Sequence, residues 1–209
     1  MKLPKLYAIL DAESCARRNL SLMQIAEAWR DAGIRLVQYR DKQGSDADVL
    51  RNAQALREMF AGTQATLILN DRVHLFAQTG FHGLHVGQTD AAVRRAREEI
   101  GLDAILGIST HNPAQLKDAD AMPVDYVAVG PVYATSTKTD ADPVVGLEGV
   151  RAGHSVTRKP LVAIGGITAE RAAEVLAAGA DSVAVISGLL PAAGEDPRAA
   201  AERFLQLLG

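Results

Sequence analysis

The sequence predicts a single (β/α)8 TIM barrel occupying residues 1–209, and three observations carry that expectation. Eight short apolar runs of strand length recur along the chain, and amphipathic stretches with helix start and stop signals lie between them. Spreading 209 residues over eight units leaves about 26 per unit, the compact end of this barrel's range, with no room for a second domain.

In chain order, the first run is 6–10 and stops at Asp11. Ser21 then opens a helix over 22–32, because a serine oxygen can accept a first-turn amide. Gly33 ends that helix, since glycine takes the left-handed backbone a helix stop needs. The second run, 36–40, is followed by Ser45 and a helix over 47–61 closed by Gly62. The runs 66–70, 83–86, 105–109 and 126–130 follow, with stops at Gly80 and Gly101. After the run 161–164, Thr168 opens a helix over 169–178 that Gly179 ends, and the run 182–186 completes the eight. An open doubly wound sheet is the competing architecture, but it uses fewer strands and a Gly-rich first turn, and no G-x-G-x-x-G follows Asp11. The longest polar connection, 133–143, is the candidate for a mobile loop.

Composition narrows the function. Hydrophobic residues are 48% and charged residues 22%, the balance of a chain with a buried core rather than a disordered one. Lysine plus arginine is 22 against 25 acidic residues, a net charge of −3, which lacks the basic footprint of a nucleic-acid binder. Cys15 is the only cysteine, so no intrachain disulfide or Cys-rich zinc site can form; it reads as a packed thiol in a reducing compartment. The apolar start is too short for a signal-peptide core, and no run approaches the roughly 20 apolar residues of a membrane span. These features point to a cytoplasmic protein with no nucleic-acid partner and no membrane span, and leave room for a homo-oligomer.

In such a barrel the chemistry sits where strands end and helices begin. The two-residue strand period puts Gln38, Arg40 and Lys42 on one face and Tyr39 on the other. Arg40 as a fork and Lys42 as a point charge suit the oxygens of a diphosphate, the alternative being a solvated strand end with an Arg-Asp pair. Asp71 and Asp90 crown neighbouring strands, and two carboxylates beside a phosphate-binding cation pair suit Mg²⁺; each could instead cap a helix. Ser109 closes the fifth run without a nucleophile elbow, so it reads as a substrate hydrogen bond or a cap. Thr135, Ser136, Thr137 and Lys138 form a hydroxyl-rich loop ending in a cation, suited to anion contacts or to solvent. The strongest residue-level signal is glycine at the ends of strands seven and eight, Gly165-Gly166 and Ser187-Gly188, where barrels often bind phosphate through backbone amides. His74, His82 and His85 lie on different elements and do not suggest a zinc site, whereas His111 falls near the mouth and His154 near a helix end.

Taken together these residues resemble the thiamine-phosphate synthase family over essentially the whole chain. The matching features are Gln38 to Lys42 against Q-x-R-x-K, then Asn70-Asp71-Arg72, and residues 83–90 against G-x-H-x-G-Q-x-D. Gly130-Pro131-Val132 with the 135–138 loop, Gly165-Gly166-Ile167 and Ile186-Ser187 complete the match. The resemblance implies an alkyl transfer between hydroxymethylpyrimidine diphosphate and hydroxyethylthiazole phosphate, or its carboxylate form, with release of diphosphate. It assigns the pyrimidine diphosphate to Gln38, Tyr39, Arg40, Asp41, Lys42, Asn70, Ser109 and Lys138, and Mg²⁺ to Asp71 and Asp90. Thr135, Ser136 and Thr137 would meet the thiazole, while Gly166, Ile186 and Ser187 would take its phosphate. Arg40, Lys42, Ser109 and Lys138 would be the catalytic groups of a dissociative substitution. His82 stands where the family usually carries aspartate, which bears on a turn contact. A thiazole tautomerase-like isomerase would need neither the diphosphate clamp nor the metal, and a phosphate-ligand sensor on the same barrel would bind without turnover.

Overall fold

The computed structural model describes residues 1–88, 90–135 and 143–209, with the side chains of 90 and 91 outside that description. The first half runs β1 (Leu6–Asp11), α1 (Ala12–Arg17), α2 (Leu22–Asp31), β2 (Leu36–Arg40), α3 (Asp46–Met59), β3 (Thr66–Asn70), α4 (Phe76–Thr79) and β4 (Gly83–Val86). The second half runs α5 (Asp90–Ile100), β5 (Ile105–Thr110), α6 (Pro113–Asp120), β6 (Tyr126–Val129), α7 (Gly146–Val156), β7 (Leu161–Ile164), α8 (Ala169–Ala177), β8 (Ser182–Val185) and α9 (Pro197–Leu208). The eight strands pair in sequence order and close as a barrel, the expected (β/α)8 architecture. Every pairing is parallel, and closure pairs Ala8 of β1 with Val185 of β8.

The core divides in two by strand alternation. Tyr7, Ile9, Leu36, Ile68, Tyr126, Ala128 and Val162 pack together inside the barrel. Leu6, Ala8, Leu10, Val37 and Tyr39, the intervening positions, pack outward with the helices around Trp29 and Phe204. Gly107 makes the interior possible, because a Cβ there would collide with the Tyr126 ring.

Strand bounds match the expected ones for β2, β3, β4 and β7. β1 and β5 run one residue further, to Asp11 and Thr110, while β6 and β8 end one residue earlier. Asp11 continues β1 because it stays in register with Arg40. Ser21 and Ser45 cap α2 and α3 as expected. Thr168 precedes α8 but caps no amide; its hydroxyl bonds the Glu170 carboxylate, holding that group below the usual carboxylate range. Cys15 is buried, and burial pushes its thiol up to about 11, which makes it a packing group.

A repeated contact braces the closed end. Asp125 precedes β6 and accepts the Leu106 amide at 2.8 Å, and Asp181 precedes β8 and accepts the Leu161 amide at 2.8 Å. His82 precedes β4 and accepts the Leu67 amide on Nδ1 at 3.0 Å. The departure from aspartate therefore preserves the turn contact, with a ring nitrogen replacing a carboxylate oxygen.

Candidate active site

The polar residues gather at the open end, where strand alternation and strand termination meet. In β2 the inward positions are Gln38 and Arg40, only 3% and 7% exposed. Arg40 forms a buried ion pair with Asp11, and Glu13 lies 3.6 Å from the same guanidinium nitrogen. The other oxygen of Asp11 accepts the Ser14 amide at 2.8 Å, capping α1. One carboxylate thus anchors both a helix start and the guanidinium. A buried charge held this way keeps its fork oriented toward the mouth at little further entropic cost.

Lys42 lies beyond β2, half-exposed, with its Nζ 3.9 Å from Asp71. A pair this long and exposed is weak, so an incoming anion can displace it. Asn70 donates its amide to the Asp71 carboxylate at 2.9 Å. Asp71 and Arg72 both take left-handed backbone, with φ of 52° and 46°, an uncommon conformation for two successive non-glycine residues. Arg72 donates to the Gly44 carbonyl at 2.7 Å and the Lys42 carbonyl at 3.3 Å, tying the loop that carries Lys42 to the end of β3. The helix-cap alternative fails for Asp71: Arg72 occupies the cap position of the following 3-10 turn, and no side chain caps it. It also fails for Ser109, since Asn112 caps α6.

Ser109 enters the mouth from β5 with its hydroxyl 2.8 Å from Nε2 of His85. The His85 ring stacks on Tyr126 at a centroid distance of 5.6 Å, and its Nδ1 lies 2.9 Å from the Tyr126 hydroxyl. Tyr126 meets the Tyr7 hydroxyl at 2.8 Å, and Tyr7 accepts the Gln38 amide at 2.8 Å. Burial drives both phenols well above their ordinary pKa, so they stay neutral.

The mouth has two adjoining lobes. Gln38, Arg40, Lys42, Asn70 and Asp71 line the first. Thr135, Gly165, Gly166 and Ser187 line the second. Ser109, His111, Ile164 and Ile186 border both, so a group bound in one lobe faces a group bound in the other. Gly165 and Gly166 have φ of 103° and 62°, successive left-handed positions that turn the chain sharply after β7. The 130–135 segment folds onto this turn through the Val132 amide to Ile164, at 2.8 Å, and the Tyr133 amide to Gly165, at 3.0 Å.

Two expected contacts are set apart from the mouth. Tyr39 points outward, where its hydroxyl donates to Asp41 at 3.2 Å and accepts the Asn52 amide at 3.0 Å. The Asp41 carboxylate accepts the Gly44 and Gln43 amides at 2.7 and 3.2 Å. These residues shape the loop behind Lys42, because alternation sends Tyr39 to the helix side and Asp41 is consumed by the turn. Ser136, Thr137, Lys138 and the side chain of Asp90 lie outside the described residues, as does most of the expected mobile loop. Among the described residues no three His, Cys, Asp or Glu side chains form a metal-ligating group. His74 pairs with Asp46 on the surface and His154 sits in the last turn of α7, so neither joins the mouth.

Sequence reasoning missed Asp11, Tyr7 and Tyr126. The available signal was the period itself: Tyr7, Ile9 and Asp11 share the inward face of β1, and an inward phenol or carboxylate needs a partner.

Comparison with known proteins agrees with this geometry. The family described as Thiamine monophosphate synthase matches residues 6–189. The thiamine-phosphate synthase of Koribacter versatilis is 48% identical over 211 residues, covering 100% of this chain and 97% of that protein. That of Albidiferax ferrireducens is 39% identical, covering 98% and 91%. Among solved structures, a thiamine phosphate pyrophosphorylase from Pyrococcus furiosus superposes with a TM-score of 0.83 at 30% identity, covering 98% of this chain and 95% of its own. With its barrel, its two-lobed mouth and these relatives, the chain belongs to the thiamine monophosphate synthase family.

Proposed function

We propose that this chain is a transferase that joins hydroxymethylpyrimidine diphosphate to hydroxyethylthiazole phosphate, or its carboxylate form, giving thiamine phosphate and diphosphate. The observation that carries the reading is the pair of adjoining lobes, one cationic and one glycine-rich, which suits two phosphorylated substrates face to face. Arg40, Lys42 and Asn70 hold the diphosphate, with Gln38 beside the pyrimidine. Gly166, Ser187 and Ile186 receive the thiazole phosphate, and Thr135 lies at that lobe. Ser136, Thr137 and Lys138 are proposed to complete the contacts from the loop.

The C–O bond to diphosphate breaks with its electron pair leaving on oxygen, and the thiazole nitrogen lone pair forms the new C–N bond. Negative charge on the leaving group grows as the bond breaks, so Arg40, Lys42 and Lys138 bind the transition state more tightly than the ground state. The shared border of the lobes keeps the nucleophile within reach of the carbon, so no protein nucleophile is needed.

Asp71 presents hard oxygen donors at the lip of the cationic lobe, a donor type that fits Mg²⁺. Asp71 and Asp90 would hold the ion, which when bound neutralises diphosphate charge. Asp71→Ala and Asp90→Ala are each expected to weaken Mg²⁺-dependent turnover by about tenfold or more while the barrel stays folded. Magnesium titrations of both variants test this; unchanged metal dependence removes the assignment.

The isomerase reading is not favoured, since an isomerase needs no diphosphate clamp such as Arg40 with Lys42, and the synthase relatives weigh against a sensor that binds without turnover. No helix among the described residues is long and apolar enough to cross a membrane. A small-molecule biosynthetic role fits a cytoplasmic location. The deciding experiment mixes purified protein with both substrates and Mg²⁺ and assays thiamine phosphate and diphosphate together. Equal yields of the two support the reading, and binding or thiazole rearrangement without them overturns it.

A further inference from the structure

One carboxylate, Glu13 in the first turn of α1, reaches both cations of the first lobe by different routes. Its Oε1 accepts the backbone amide of Lys42 at 3.2 Å, and its Oε2 lies 3.6 Å from Nη1 of Arg40. Arg72 holds the other side of Lys42, donating to its carbonyl at 3.3 Å. The Lys42 backbone is thus fixed at its N–H from α1 and at its C=O from the end of β3, while its side chain stays half-exposed beside Asp71. A flexible stem on a fixed backbone keeps its point charge within one region of the mouth.

The charge around this lobe is less favourable to an anion than its lining. Arg40 and Lys42 pair with three carboxylates, Asp11, Glu13 and Asp71. Asp11 and Glu13 stand behind the lining and are not part of it. They differ in what they can yield. Asp11 is 1% exposed and also caps α1 at the Ser14 amide, so it cannot leave Arg40 without stranding a buried charge. The Glu13 side chain is 22% exposed, and at 3.6 Å it attracts Arg40 without hydrogen-bonding to it. That attraction is Coulombic and open to screening by salt.

We propose that Glu13 is a positioning residue with two separable effects on the cationic lobe: its oxygen sets the Lys42 backbone, and its negative charge lowers the affinity of Arg40 and Lys42 for an anion. The second effect suits turnover, because a site that must let diphosphate go gains from a looser grip on that product. Identifying the anion as diphosphate rests on the function proposed above; the hydrogen bond to Lys42 does not.

Two substitutions separate the effects, and neither touches the Asp11 cap or the barrel interior. Glu13→Gln removes the charge and keeps an oxygen for the Lys42 amide, whereas Glu13→Ala removes both. Amide hydrogen exchange of the full chain, read by NMR without substrate, reports the hydrogen bond. Lys42 exchange is expected to quicken by about tenfold in Glu13→Ala and by less than about twofold in Glu13→Gln. An unchanged Lys42 amide in Glu13→Ala overturns the positioning role. Calorimetric titration with inorganic diphosphate, in Mg²⁺ at low ionic strength, reports the charge. Glu13→Gln is expected to bind about fivefold more tightly than the wild type, a gain that falls below about twofold in roughly 0.5 M salt. Glu13→Ala, with Lys42 loosened, should bind about threefold more weakly than Glu13→Gln. Glu13→Gln binding no more tightly than the wild type overturns the charge effect, and so does a gain that survives salt. A wild type that binds no diphosphate overturns the function proposed above and the charge effect with it, while the Lys42 exchange still decides the positioning role.

Discussion

Arg40→Met is expected to slow the single-turnover chemical step by about a hundredfold or more, because it removes a preorganised fork aimed at the charge the leaving diphosphate develops. The same substitution should destabilise the barrel by about 3–5 kcal/mol, since it strands Asp11, 1% exposed, without its buried partner. These two losses have separate origins and can be separated. Asp11→Asn keeps an oxygen to cap α1 at the Ser14 amide but removes the charge that holds Arg40, so it should cost less stability than Arg40→Met while still slowing the chemical step. Arg40→Lys keeps a cation but loses the fork, and it should recover only part of the rate. Rapid-quench turnover at saturating substrates, beside urea unfolding of each variant, checks all three. Arg40→Met with normal turnover and lowered stability would make Arg40 only the structural partner of Asp11, and the diphosphate clamp would have to move elsewhere.

The same residues show what the sequence could and could not reveal. Strand alternation alone placed Gln38 and Arg40 inward and Tyr39 outward, and the barrel obeys it. Lys42 lies past the last paired residue, where period no longer decides direction; its position depends on Arg72 strapping the 42–44 loop to β3, a contact across 28 residues of chain for Gly44. Tyr39 and Asp41 entered the expected site through family resemblance to a continuous motif, yet a motif mixes residues that touch ligand with residues that shape the loop. Tyr7 and Tyr126 stayed hidden because their meeting depends on barrel closure, which brings together positions 119 apart. Gly107 was the quiet counterpart of that meeting, a missing side chain in β5 that makes space for the Tyr126 ring. The sharp turn at the glycines after β7 was legible, because positive φ is a property of the backbone itself rather than of a distant partner.

Gly166→Val should raise the KM for thiazole phosphate by about a hundredfold while changing that for pyrimidine diphosphate little, the size expected when one or two charge-assisted amide contacts are lost. Gly166 has φ of 62°, a conformation that a β-branched residue adopts only under strain. Its Cβ would also stand 2.5 Å from the Ala134 carbonyl oxygen and 2.8 Å from Cβ of Tyr133. That neighbour cannot yield cheaply: Tyr133 donates to Glu174 at 2.6 Å, and the Arg171 guanidinium lies 4.6 Å from its ring centre. The turn after β7 must therefore move instead, carrying the amides of the glycine-rich lobe away from the phosphate. Backbone strain by itself is controlled by Gly33→Val, at φ 83° after α2, where an added Cβ meets nothing within 4 Å. Both variants should lose stability, by roughly 1–2 kcal/mol from the left-handed backbone alone, but only Gly166→Val should weaken thiazole phosphate. Steady-state kinetics with each substrate varied against saturating partner measures the split. Equal increases in both KM values would mean that the β7 turn serves the mouth as a whole, and the assignment of thiazole phosphate to the glycine-rich lobe would fall.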